Sequence, residues 1–215
     1  MPTLWKGLSR ILSRTVWAMC AFLFPLLSVG ADDAPTGDEP KKRYSIVAYG
    51  GIYTSRTFGK TVSNPPGDLE SGYLYAVGLN RHLFSWPRHF TWEGEVLFAK
   101  HYEKSEARSQ HFEEYIACIL LRYHHLPWDR YVDTTIAFGE GLSYTSERSL
   151  LETQTAGKET RRLLNYLAVE LTLSHPRHPD WSLVYRIHHR SGIFGLMGGL
   201  KGVSDYYNLG IRYHF

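Results

Sequence analysis

Two segments at the end of the chain, Trp181-Ser-Leu-Val-Tyr-Arg-Ile-His-His-Arg-Ser191 and, after a Gly-rich loop, Ser204-Asp-Tyr-Tyr-Asn-Leu-Gly-Ile-Arg-Tyr-His-Phe215, decide how it is read. Side chains two apart on a β-strand share a face. Counted back from Phe215, one face carries Tyr213, Ile211, Leu209, Tyr207 and Asp205. The other carries His214, Arg212, Gly210, Asn208 and Tyr206. In the preceding strand Trp181, Leu183, Tyr185, Ile187, His189 and Ser191 share a face opposite Val184, Arg186, His188 and Arg190. Two apolar faces therefore end in an imidazole, a hydroxyl and a carboxylate. That combination points to a base, a nucleophile and an orienting acid on the greasy side of a sheet.

The same period runs upstream. Strand-like stretches fall at about 43–58, 70–83, 90–102, 111–126, 131–146, 160–174, 181–192 and 204–215. Connections near 84–89, 127–130 and 175–180 are short and proline-bearing, whereas those near 59–69, 103–110, 147–159 and 193–203 are longer and richer in Gly, Ser, Thr or charge. An even number of alternating segments of roughly ten residues, with short and long connections taking turns, predicts an all-β fold. Its form is an eight-stranded antiparallel transmembrane up-and-down β-barrel of the outer-membrane type. Trp86, Trp128 and Trp181, three of six tryptophans in a chain that also has fifteen tyrosines, lie at or beside the short turns, where an interfacial girdle belongs. A soluble barrel of lipocalin type would not account for these aromatic ends.

Residues 1–31 read as a signal peptide. Lys6, Arg10 and Arg14 precede the apolar run Val16 to Val29, and Val29-Gly30-Ala31 offers a small-residue cleavage site. The run is short for a span of about 20 apolar residues and is broken by Pro25. Residues 32–42, polar with two prolines, read as a disordered N-terminal tail, and 43–215 as the barrel. The leader holds three of the 24 basic residues and none of the 21 acidic ones, so the rest of the chain carries 21 of each sign. A balanced charge asks for no nucleic-acid partner. Cys118 is then the sole cysteine, reads as a small packing residue, and cannot form an intramolecular disulfide.

An eight-stranded barrel is just wide enough to be filled by side chains. Parity turns Glu93, Glu95, Arg122, Asp133, Glu170, Arg186 and Arg212 to the less apolar faces, as a paired polar interior rather than a transport path. Glu140 falls on the apolar side by simple counting, which predicts a bulge at Gly139 or Gly141. Seven of eleven histidines (82, 89, 124, 125, 175, 178 and 214) cluster toward the short-turn ends. With no tight ligand spacing they read as interfacial polar residues and not as a metal site. Arg88, Arg130 and Arg177 near the same turns are suited to headgroup phosphates.

With Phe215 at the periplasmic end, His189, Ser191 and Asp205 come to the external rim beside the outer leaflet. His189 and Ser191 emerge about 6.6 Å apart on one face. His189 is then the candidate general base for Ser191, with Asp205 across the hairpin fixing its tautomer. His189-Arg190-Ser191, the Gly-rich loop and Gly202-Val203-Ser204-Asp205-Tyr206 together resemble the lipid A 3-O-deacylase family. The close resemblance covers about the last 35 residues. It implies an outer-membrane serine esterase, without cofactor or metal, that removes an ester-linked acyl chain from lipopolysaccharide, with Ser191 as nucleophile, His189 as general acid/base and Asp205 as acid. The family's acid is typically Glu, and alignment on Gly202-Val203 would put Ser204 there instead; parity turns Ser204 inward and favours Asp205. The family also has Asn after the nucleophile where this chain has Gly192, so the amides of Gly192 or of 195–202 become the candidate oxyanion donors. The competing readings are a non-enzymatic surface barrel, an adhesin or membrane stabiliser, and an esterase on another acyl lipid. A homodimer is compatible with the chain and is not fixed by it.

Overall fold

The computed structural model describes residues 42–85, 89–105, 108–192, 200 and 202–215. The signal-peptide segment and all of the predicted tail but Lys42 lie outside these, as do Trp86, Arg88 and most of the loop 193–203. Eight strands follow one another: β1 (Tyr44–Thr54), β2 (Leu69–Ser85), β3 (Phe90–Lys104), β4 (Ser109–Tyr123), β5 (Asp133–Thr145), β6 (Leu163–His175), β7 (His178–Ser191) and β8 (Gly202–His214). Each pairs antiparallel with the next and β8 returns to β1, closing the barrel. Two short helices ride on the connections, α1 (Phe58–Ser63) between β1 and β2 and α2 (Leu150–Ala156) between β5 and β6.

The strand boundaries follow the sequence period closely, with three differences. The first predicted strand overruns its end, because residues 58 onward turn into α1. The connection expected as a longer loop at 103–110 is short: β3 runs to Lys104, β4 starts at Ser109, and Ser105 N donates to Arg108 O at 2.8 Å between them. The one at 124–132 is longer than the prolyl turn expected there, and Asp129 holds it by accepting from Leu126 N at 2.7 Å and Thr134 N at 3.2 Å. Lys42, assigned to the tail, is anchored, pairing with Asp180 and donating to the His214 carbonyl at 3.2 Å.

Alternation sorts the wall into two surfaces. Outward positions carry a belt of exposed apolar side chains, among them Val77, Val96, Phe138, Leu183 and Ile211. Tyr75, Tyr102, Tyr115 and Tyr144 border it toward the long-loop end, and Phe84, Trp181, Tyr213 and Phe215 toward the short-turn end. Such a surface is a liability in water and an asset in lipid. Closure pairs the backbone of the strands around the ring, the condition for crossing a membrane.

The inward surface sets charged pairs among buried apolar residues such as Val47, Leu74, Leu120 and Val184. Arg186 grips Glu95 with both terminal nitrogens at 2.6 and 2.8 Å, and Arg122 grips Glu93 at 2.6 and 3.0 Å. Glu170 lies between three guanidinium groups, accepting from Arg122 at 2.8 Å, Arg186 at 2.8 Å and Arg212 at 2.7 Å. Three arginines thus meet three glutamates in the lumen, with Cys118 a buried free thiol beside Glu95. Asp133 does not join them; it is exposed at the short-turn mouth, where a cavity of about 380 Å³ is also lined by Glu93, Arg122, His124 and Arg212. A higher layer joins His101 and His188 to Glu114 at 2.6 and 3.1 Å. Above it α2 crosses the other mouth: Glu103 accepts from the Ser149 hydroxyl at 2.5 Å and from Leu150 N at 2.8 Å, and Glu152 pairs with Arg190 and accepts from Ser204 Oγ at 2.8 Å.

Glu140 corrects an expectation. No bulge interrupts β5, which pairs in regular register through Ile119↔Glu140 and Glu140↔Leu167. Its side chain is exposed on the apolar outer face. The flanking glycines face inward, where a Cβ on Gly141 would lie 2.1 Å from the Ala117 carbonyl oxygen. Small residues are needed there for close packing, and the strand stays regular.

Two outcomes follow. Glu170→Gln removes the charge that three buried guanidinium groups share, and is expected to cost about 3–5 kcal/mol in urea unfolding from lipid vesicles. Glu140→Leu, replacing an outward carboxylate in the apolar belt, is expected to raise stability in the same measurement by about 1 kcal/mol.

Candidate active site

The outward face of the β7–β8 hairpin carries the residues singled out from sequence. His189 and Asp205 are direct cross-strand partners, and His189 Nδ1 lies 2.5 Å from Asp205 Oδ1. A carboxylate only accepts, so Nδ1 carries the hydrogen and the neutral ring keeps Nε2 as its acceptor. The inward neighbours confirm the parity: His188 reaches Glu114 and Arg190 reaches Glu152, both inside the lumen. Ser204 likewise turns inward to Glu152, so of the two positions it is Asp205 that meets the imidazole.

Ser191 ends β7 on the face of His189, and its hydroxyl makes no hydrogen bond among the described residues. The pairing slips beside it, from Arg190↔Ser204 to Ser191↔Gly202, which leaves Val203 as an extra residue of β8. Such irregularities re-aim the strand end. Gly192 is buried, and a Cβ on it would lie 2.4 Å from the Leu200 carbonyl oxygen, so the backbone of the connection passes too close for any side chain. The candidate oxyanion amides between 195 and 202 fall mostly outside the described residues.

In one respect the site differs from expectation. The three groups face outward but are not open to their surroundings: His189, Asp205 and Ser191 are 4%, 1% and 8% exposed. Over His189 and Asp205 the cover comes from α1. The Phe58 ring lies against the His189 imidazole, with ring centroids 4.5 Å apart. Thr61 Oγ1 donates to Asp205 Oδ2 at 2.7 Å, and Tyr207 Oη donates to the Thr61 carbonyl at 3.3 Å. Sequence reasoning missed Phe58 and Thr61 because neither belongs to a motif and a helix of six residues leaves no period to detect.

The clustered histidines behave as polar edge residues. His89 stacks on His125, His124 Nε2 bonds Thr91 Oγ1 at 2.9 Å, and His214 Nε2 bonds Ser182 Oγ at 3.3 Å. Among the described residues no group of three or more His, Cys, Asp or Glu is placed to hold a metal ion. Arg130 lies over the Tyr131 ring at 4.4 Å.

No family model and no curated protein matches this sequence. Solved structures do match the fold. The outer membrane enzyme PagL superposes with a TM-score of 0.53 at 16% identity, over 80% of this chain and 99% of that one. The N-terminal β-barrel domain of Pseudomonas aeruginosa OprF gives 0.49 at 12% identity over 82% and 100%, and Neisserial surface protein A gives 0.48 at 12% over 80% and 96%. At these identities the likeness is one of architecture: this chain has the fold of a small eight-stranded outer-membrane barrel.

Gly192→Ala tests the close approach. The added methyl group must displace the Leu200 backbone, and the variant is expected to lose about 1–3 kcal/mol in urea unfolding relative to the unsubstituted barrel.

Proposed function

We propose that this chain is an outer-membrane serine esterase that hydrolyses an ester-linked 3-O-acyl chain of lipid A. The observation that carries the reading is the 2.5 Å contact between His189 and Asp205 beside Ser191, on the outer face of a wall that is mostly apolar. Packing alone gives no reason to put an imidazole and a carboxylate there. The resemblance of the hairpin to the lipid A 3-O-deacylases supplies the substrate class.

The chemistry follows from the residues. His189 Nε2 takes the hydroxyl proton as Ser191 Oγ attacks the ester carbonyl carbon, and Asp205 stabilises the imidazolium that forms. The tetrahedral oxyanion needs donors, and the amide of Gly192 is the candidate next to the nucleophile; such donation is worth about 3–4 kcal/mol of barrier. Collapse breaks the bond to the sugar oxygen, which takes the proton from His189. Water, deprotonated by the same nitrogen, then attacks the acyl-enzyme and releases the fatty acid, restoring Ser191. A lipid A ester already lies at the boundary of the outer leaflet, so lateral diffusion brings it to a site on the outside of the barrel.

The cover over the three groups favours a second reading, a surface barrel without enzymatic activity. One assay decides. Purified protein in detergent is incubated with lipopolysaccharide and the lipid A products are weighed by mass spectrometry. Loss of one hydroxyacyl chain is expected with the unsubstituted protein and none with Ser191→Ala. Asp205→Asn is expected to be slower by roughly 10²–10⁴-fold. An unchanged lipid A mass with every variant leaves the surface-barrel reading, and loss of a chain from phospholipid alone points to an esterase of another acyl lipid.

A further inference from the structure

We infer that Thr61, on the β1–β2 connection, is a positioning residue of this site: its hydroxyl holds the Asp205 carboxylate in the orientation that His189 needs. The inference rests on the reading of Ser191, His189 and Asp205 as an esterase site, and extends that site to a segment 144 residues away in sequence.

The two oxygens of Asp205 have separate partners. Oδ1 faces His189 Nδ1 at 2.5 Å and Oδ2 accepts from Thr61 Oγ1 at 2.7 Å. The Thr57 carbonyl is a second acceptor within reach of the Thr61 hydroxyl, but at 3.2 Å. With one hydrogen to give, the hydroxyl favours the nearer and charged oxygen, since bonds to ionised acceptors are shorter and stronger. Thr61 is fully buried and Asp205 is 1% exposed, so water does not readily replace the bond if it is lost. A carboxylate held at both oxygens cannot rotate, and its rotation would take the acceptor away from Nδ1.

Thr61 is itself held from several sides. Tyr207, which shares the outward face of β8 with Asp205, donates to the Thr61 carbonyl. Arg56 bonds Asp68 at 2.9 Å and the Asn64 carbonyl at 2.7 Å, and Thr54 Oγ1 donates to the Gly67 carbonyl at 2.6 Å, which ties both ends of the connection together. Phe58, one helical turn before Thr61, packs on the imidazole that Asp205 orients. One helical turn thus touches both the base and its acid.

The test compares Thr61→Val, which keeps shape and removes the hydroxyl, with Thr61→Ala and with Thr61→Ser, which keeps the hydroxyl. Folding of each is checked by heat-dependent gel mobility, and Ser191 reactivity by labelling with a fluorophosphonate, using Ser191→Ala as the blank. Val and Ala are each expected to lower kcat for lipid A deacylation and the labelling rate by roughly tenfold with KM unchanged, and Ser to restore both to within about twofold of the unsubstituted protein. If the unsubstituted protein labels and turns over, and folded Val and Ala variants match it, the role of Thr61 is overturned while the esterase reading stands. If Ser is as slow as Val, the methyl packing and not the hydroxyl matters, and the inference is again overturned. If the unsubstituted protein neither labels nor hydrolyses, the site reading falls and Thr61 with it.

Discussion

Closure of the wall is the constraint on which everything else here depends. Eight strands leave no edge, so the backbone satisfies itself around the ring and side chains alone decide what each surface tolerates. A period of two then assigns every residue to lipid or lumen. The lumen is too narrow to stay empty, and this chain fills it with arginine–glutamate pairs set among apolar side chains such as Val47, Leu74, Leu97 and Leu120. Buried ion pairs of this kind contribute little net stability, since desolvation offsets attraction, but any single removal is costly because it strands a charge. Glu170 shows this most clearly: three guanidinium groups depend on its two oxygens.

The same parity separates structural from candidate functional histidine on adjacent residues. His188 points inward and shares Glu114 with His101; His189 points outward and meets Asp205. A one-residue slip of β7 would exchange their environments. Register is defended by the interior, because Arg186 and Arg190 must reach Glu95, Glu170 and Glu152 from the same strand. The charged lumen therefore fixes which imidazole lies on the outward face of the wall.

Much of this was legible in the sequence. All eight strands, their order and the inward set of arginines and glutamates follow from alternation, and so do the outward facing of Asp205 and the inward facing of Ser204. Legibility ends where contacts are not periodic. Counting alone predicts a bulge near Glu140, because a carboxylate on the apolar side implies a shift of register; the strand is regular and the carboxylate simply faces out. The two helices escaped notice since six or seven residues give no helical period, and the Ser149 cap and the Gly157 end of α2 are ordinary loop residues until the helix is seen. Asp133 sits at a strand end, where parity no longer implies burial.

The contrast between Glu140 and Asp205 shows how the outer wall treats a charge. Both side chains lie on the lipid-directed face of a strand. Glu140 is exposed, has no partner among the described residues, and is flanked by Ile119 and Leu167. Asp205 is covered, bonded at both oxygens and roofed by a helical turn from the far end of the chain. The ladder places the two in one row, since Leu167 pairs with both Glu140 and His189, and His189 pairs with Asp205. Asp205 lies three residues from the long-loop end of β8 and Glu140 five from that of β5, on strands that tilt across the wall. A carboxylate tolerated only because it does little harm would be left as Glu140 is. The hold on Asp205, drawing on β7, β8 and the connection after β1, fits the proposed role of orienting the neighbouring imidazole.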